Sequence, residues 1–302
     1  MTPRFTRHFR VRHYELDAFG HVNGVNLVRY MQEAAIEAST ALGFSPDWYN
    51  QHGVGWVVRR LSVRYFAPAL YGDEVTAATW LSGLRGVRSI REYDLTLPPP
   101  SPPKLEGERG GQRVARARAE WVYMNFRTGE PTRIPDAWAN AFTLKDKPED
   151  LGIRLQDPHP TENARRYTNR RRVEFHELDT VQHVNHAVYL QWTAEAFLDA
   201  LRTAGYAPER TLQDGWRALQ TGHEIQYFAA AVDQENIEIV SWLSETTADG
   251  AAWTHEIYNA DTRKLLARDY APMGFVNAQH ETIAPPARIV ENILRGQADS
   301  MR

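Results

Sequence analysis

Three residue types recur in one arrangement. Asp17, His21 and Asn23 are spaced as Asp-x-x-x-His-Val-Asn, and the same spacing returns at Asp179, His183 and Asn185. A carboxylate and an imidazole within one short loop form a pair able to take up and return a proton. Asparagine is a favoured cap at a helix start, so each cluster stands where the positive end of a helix dipole begins. The amides of that first turn, Gly24 and Val25 or His186 and Ala187, would point outward and receive a carbonyl oxygen as negative charge develops on it. Aspartate, as general base or nucleophile, with histidine as its orienting or protonating partner, then suits hydrolysis of an activated acyl group. The chain has no cysteine, which excludes thiolate nucleophiles, thiolate metal sites and disulfides.

The elements that must hold these loops are themselves duplicated. An offset of 162 positions carries Asp17 to Asp179, Glu33 to Glu195, Gly43 to Gly205, Pro46 to Pro208, Tyr65-Phe66 to Tyr227-Phe228 and Trp80-Leu81 to Trp242-Leu243 without a gap. A fixed period of this kind marks a tandem duplication. In each copy a short strand (around Phe9, Val11 and His13) leads into the loop. A helix follows, with apolar Val28, Met31, Ala35, Ala38 and Leu42, or Leu190, Ala194, Phe197, Leu201 and Ala204, at helical spacing. Gly43 and Gly205 close these helices as the first residue past the cap. The remainder of each copy alternates as strands, and one helix followed by four or more strands excludes a doubly wound fold. The predicted class is α+β: a long helix on an antiparallel sheet, made twice. The domains are 1–144 and 167–302, joined by a linker over 145–166. The segment 97–111, rich in proline and glycine, is a hairpin extension of the first copy alone, and a short helix begins near Ile289.

Among 302 residues, hydrophobic types make up 42% and charged types 24%, a globular balance, and the net charge of −3 gives no basic field to attract nucleic acid. Only Lys104, Lys145, Lys147 and Lys264 are lysines, so the positive charge is almost all guanidinium. No apolar run is long enough for a membrane span and the first residues lack a signal core, so a cytoplasmic setting is expected.

ELDAFGHVNGVNLVRYMQEAA resembles the signature of hotdog-fold thioesterases, and LDTVQHVNHAVYLQW with GWVVRRLSVRYFAPALYGDEVTAATWL is similar to the acyl-ACP thioesterases, which carry two hotdog domains in one chain. The resemblance implies a tandem hotdog fold, a pseudo-dimer within one chain open to further dimerisation. It implies hydrolysis of an acyl thioester on acyl carrier protein or coenzyme A without a cofactor. Asp179 and His183 would be catalytic, with Asp17 and His21 at the equivalent place, and Asn185 and Asn23 would start the helices. The family's polar residue between Asp and His is Val181 here and Phe19 in the first copy, and its further glutamate falls at Ala230 and Pro68, so a simpler site of aspartate and helix dipole is expected. The alternatives are a hotdog dehydratase or hydratase of 3-hydroxyacyl or enoyl thioesters, and a non-catalytic acyl-thioester binding module.

Other residues are weaker candidates. Arg59, Arg60 and Arg64 on a strand could grip a phosphate of the carrier arm. His176, His183 and His186 lie close in sequence, but no carboxylate recurs with them at ligand spacing, and no metal is expected. Glu33 and Glu195 lie off the apolar stripe of their helices and read as solvated.

Overall fold

A computed structural model describes residues 4–98, 111–144, 151–152, 164–247, 250–286 and 288–295. The chain divides into two compact units, Met1–Gly152 and Ile153–Arg302. Most of segment 97–111 and of the stretch 145–166 lies outside the described residues, as does the tail beyond Arg295.

The first unit runs β1 (Phe5–Arg10), a single 3-10 turn (His13–Glu15), α1 (Gly24–Thr40), α2 (Pro46–His52), β2 (Val54–Tyr65), β3 (Glu74–Arg85), β4 (Arg88–Thr96), β5 (Arg113–Asn125), β6 (Glu130–Pro131) and α3 (Asp136–Ala141). Its sheet is antiparallel in the order β1-β3-β4-β5-β2, with β6 paired to the end of β5. The second unit repeats this with β7 (Tyr167–Arg172), a 3-10 turn (Phe175–Glu177), α4 (His186–Thr203), α5 (Pro208–Gln213), β8 (Trp216–Gln220), β9 (Gly222–Tyr227), β10 (Asn236–Thr247), β11 (Gly250–Asn259), β12 (Leu265–Asn277), β13 (Thr282–Ile283) and α6 (Ile289–Arg295). The equivalent order is β7-β10-β11-β12-β9, and β8 and β13 also pair with β12. β2 carries a bulge between Val58 and Arg60. At the same repeat position its counterpart is broken into β8 and β9 at Thr221.

Each long helix lies against its own sheet because one side of it is apolar. Val28, Met31, Ala35 and Ala38 are buried in α1; in α4 Leu190, Phe197 and Leu201 are, together with Ala204 just past its end. Leu42 departs from the expected stripe: α1 ends at Thr40, and Leu42 is exposed. The first helix is capped by Ala41, so Gly43 lies two residues past the cap, not one; Gly205 directly follows the cap Ala204. Both glycines sit at positive φ, where a side chain would be strained.

The two cores differ in polarity. Met31, Leu61, Tyr93 and Ala117 occupy buried sites in the first unit, and the equivalent strand and helix positions hold Thr193, His223, His255 and Asp269 in the second. There Asp269 Oδ2 meets His223 Nδ1 at 2.8 Å and accepts from Thr193 Oγ1 at 3.1 Å. His255 Nδ1 meets Ser241 Oγ at 2.7 Å.

Candidate active site

Both loops are built identically. Asp17 Oδ1 accepts the amides of Phe19 at 2.8 Å and His21 at 3.0 Å, and the Asp17 amide donates to His21 O at 2.7 Å. In the second unit Asp179 Oδ1 accepts from Val181 at 3.0 Å and His183 at 3.3 Å, and the Asp179 amide donates to His183 O at 2.8 Å. One carboxylate oxygen is therefore spent on closing the loop. The loop needs a left-handed residue, supplied by Gly20 at φ 79° in one copy and by Gln182 at φ 63° in the other.

Two contacts fix each loop to its helix. Asn23 and Asn185 donate their amides to Glu15 O and Glu177 O, both at 3.0 Å. Glu15 and Glu177 are themselves buried beneath the loops. Glu15 Oε2 accepts from the Tyr30 hydroxyl and from the Arg12 amide, each at 2.7 Å. Glu177 accepts from Trp192 Nε1 at 2.9 Å and from the Glu174 amide at 2.9 Å, and is paired with Arg171. The sequence reading passed over these glutamates, although both precede the Leu-Asp of the repeated loop and match at the same offset.

Asn23 and Asn185 cap α1 and α4 as expected, and this changes the oxyanion assignment. Their Oδ1 atoms accept the amides of Val25 and Ala187, each at 3.0 Å. Those two amides are thereby occupied, and an oxyanion contact at this helix start would fall to the first helical residue, Gly24 or His186. Gly24 brings its amide there with no side chain, and a Cβ on it would lie 2.8 Å from the Tyr65 hydroxyl. Tyr227 holds the second helix start by donating to His186 O at 2.8 Å. Burial pushes the His186 imidazole down to about 4, so it is neutral at neutral pH.

The expected aspartate–histidine pairing takes a different form. Among the described residues no hydrogen bond joins the Asp179 carboxylate to the His183 ring; the ring acts on it through space. Burial raises Asp179 above the ordinary carboxylate range, against the lowering influence of the two loop amides and His183. Its Oδ2 has no hydrogen-bond partner among the described residues.

The arginines expected to bind the carrier arm lie on β2, at its bulge and beyond it. Leu61 and Val63 are buried and Arg64 is exposed, its guanidinium 5.6 Å from the Phe66 ring centroid; Arg60 shares the parity of Arg64, and Arg59 falls at the bulge. Glu33 and Glu195 are exposed on their helices. Among the described residues no group of three or more metal-ligating side chains comes together, and no helix is long and apolar enough to cross a membrane.

Comparison with known proteins gives the same two-part division. The palmitoyl-acyl carrier protein thioesterase of Cuphea hookeriana is 26% identical over 208 residues, which cover 64% of this chain and 46% of that protein. The long-chain acyl-CoA thioesterase FadM of Escherichia coli K12 is 29% identical over 122 residues, 39% of this chain and 82% of that protein. The chain spans about half the length of the plant relatives it matches. The 12:0-ACP thioesterase of Umbellularia californica has a like fold, with a TM-score of 0.70 at 19% identity over 89% of this chain and 93% of that one. Residues 11–142 and 173–293 both match the thioesterase-like superfamily, and the chain belongs to that superfamily.

Proposed function

We propose that this chain hydrolyses acyl thioesters, carried on acyl carrier protein or coenzyme A, to a free acid and a thiol, and that it is a tandem hotdog protein with domains 1–144 and 167–302 about a linker at 145–166, acting in the cytoplasm. The observation that carries the reading is Asp179. One oxygen accepts two amides and the other has no hydrogen-bond partner among the described residues, on a half-buried carboxylate whose proton affinity is raised, beside the start of α4. Such a group suits a general base more than an ordinary aspartate does.

Asp179 takes a proton from water, and the water oxygen bonds to the thioester carbonyl carbon. Charge developing on the carbonyl oxygen is met by the positive end of α4 at Asn185–His186. When the intermediate collapses the carbon–sulfur bond breaks, and the proton held by Asp179 passes to the departing sulfur. His183, within electrostatic reach of Asp179, favours the carboxylate form at the start of the cycle. Asp17, His21 and Gly24 provide a second, equivalent set.

The test is kinetic. Asp179→Asn and Asp17→Asn, singly and together, are assayed for thiol release on acyl-ACP and acyl-CoA panels. Loss by at least a hundredfold in the Asp179 variant supports the reading, and full activity of the double variant refutes it. Double-bond formation or hydration without thiol release would favour the dehydratase alternative.

A further inference from the structure

A groove of about 730 Å³ runs along the first unit between β1 and α1. Asn26, Arg29, Glu33 and Glu37 form its helical wall, and their spacing of three or four residues gives one face of α1 to it. Its other wall includes β1, a terminal strand of the sheet that pairs with β3 alone. The groove adjoins the first candidate site: Glu15 and Asn26, which flank the Asp17–Gly24 loop, both line it and are joined from Asn26 Nδ2 to Glu15 O at 3.0 Å.

Four guanidinium groups face three carboxylates here. Two pairs cancel, since Arg7 meets Glu37 and Arg12 meets Glu15, each at 3.4 Å. Arg10 and Arg29 have no carboxylate partner among the described residues, and Arg29 donates to Asn26 Oδ1 at 3.2 Å. Beside them two tyrosines stand in solvent, Tyr14 at 76% exposure and Tyr71 at 67%. The Arg12 guanidinium lies 6.0 Å from the Tyr14 ring centroid, and the Tyr71 ring meets His13 edge-on at 6.0 Å. Rings left in water offer flat apolar faces that a planar base would cover.

The duplication shows that the fold does not require this surface. At the offset of 162, Arg12, Arg29 and Tyr71 become Glu174, Gln191 and Asp233. β7 carries arginines of its own, but Arg170 is paired with Glu238 at 2.9 Å and Arg171 with Glu177. The corresponding edge of the second unit, between β7 and α4, holds a pocket of about 180 Å³.

We propose that the β1–α1 groove of the first unit takes the nucleotide end of coenzyme A, an adenosine diphosphate with a further phosphate on its ribose. Arg10 and Arg29 hold phosphate oxygens, which accept most strongly from guanidinium, and Tyr14 and Tyr71 offer their faces to the adenine. The volume is that of a small-molecule site, whereas a protein partner needs a broader contact. The inference rests on the thioesterase reading and selects coenzyme A as the carrier served by this half.

Calorimetric titration of the intact chain compares coenzyme A, adenosine 3′,5′-bisphosphate and pantetheine, which is the same arm without the nucleotide. Coenzyme A is expected to bind at least tenfold tighter than pantetheine, and the advantage should shrink with added salt. Arg29→Gln, which installs the residue of the second unit, should weaken coenzyme A and the bisphosphate about tenfold and leave pantetheine unchanged. Tyr14→Ala combined with Tyr71→Ala should have an effect of about the same size. Arg172→Gln, on the equivalent strand of the second unit, should have none. Equal affinity for coenzyme A and pantetheine, or a loss in Arg172→Gln as large as in Arg29→Gln, overturns the site. If Arg29→Gln slows hydrolysis of acyl-ACP but leaves nucleotide binding unchanged, the groove serves a protein carrier and the proposal fails. Nucleotide binding that follows these variants without hydrolysis of any thioester leaves the groove standing and refutes the hydrolase reading. Hydrolysis of acyl-CoA with no preference for coenzyme A over pantetheine has the opposite meaning.

Discussion

The Trp192 indole donates to Glu177 Oε1 at 2.9 Å, at the repeat position where the Tyr30 hydroxyl donates to Glu15 Oε2. Each bond ties the long helix to a glutamate two residues before the loop aspartate, so it sets where that aspartate stands. Trp192→Phe removes the donor and keeps an aromatic ring. It should cost about 1–2 kcal/mol in urea denaturation, and lower kcat more than it raises KM. Unchanged stability and kcat would show that the bond positions nothing.

Asp179 opposes folding while it is charged. Its proton affinity is higher in the folded chain than in the unfolded one, so the folded state holds more protons between the ordinary value of 3.8 and the raised one, and stability falls as pH rises through that window. Asparagine keeps an oxygen for the Val181 and His183 amides but carries no charge. Asp179→Asn is therefore expected to be at least as stable as the parent at pH 7 and to lose that advantage near pH 4, measured by thermal unfolding at both values.

Two imidazoles have the opposite sign. Burial pushes His186 and His255 down to about 4, so unfolding takes up protons below about 6.5. Stability is present above that pH and lost as pH falls toward 4. His255→Gln and His186→Gln should each flatten the slope of unfolding free energy against pH between 6.5 and 4; a slope unchanged by either variant would refute the assignment.

Gly20 and Gln182 serve one backbone position with unequal ease. No atom would lie within 4 Å of a Cβ added at Gly20, so the strain of Gly20→Gln is that of positive φ alone, about 1 kcal/mol of lost stability. Gln182→Gly should be neutral or stabilising by up to ~1 kcal/mol. Chemical denaturation of both variants measures the asymmetry.

The His223–Asp269 pair can be compared with the apolar residues that replace it in the first unit. Asp269→Ala leaves a buried imidazole without its partner and should cost about 3 kcal/mol or more. His223→Leu with Asp269→Ala recreates the Leu61 and Ala117 arrangement and should recover most of that loss. A double variant no better than the single would show that the site cannot close around apolar groups.

What the sequence made legible was periodic. The offset that joins Asp17 to Asp179 also located both helices, their asparagine caps and the strands after them, because each rests on local spacing. What escaped had no local signature. His223 and Asp269 are 46 residues apart and meet only through strand pairing. The Val25 and Ala187 amides were assigned to the oxyanion because the cap that occupies them competes for the same donors. Glu15 and Glu177 lay in view, repeated beside the aspartates, and were missed because a carboxylate beside a charged loop reads as solvent-facing.

The bulge at Arg59, and the break at Thr221 that matches it, shift the phase of the side-chain alternation. Before the bulge the even-numbered Val54 and Trp56 pack into the aromatic cluster with Tyr123 and Trp138; after it the odd-numbered Leu61 and Val63 are the buried ones. The second unit does the same, with Trp216 and Ala218 inward on β8 and His223 and Ile225 inward on β9. One strand thereby lines two sections of the core with the same face, which a strictly alternating strand with this sequence could not do. Without the bulge the same sequence would turn half of the strand inside out, so the doublet Arg59-Arg60 acts as a comma in the hydrophobic pattern, marking where the count begins again.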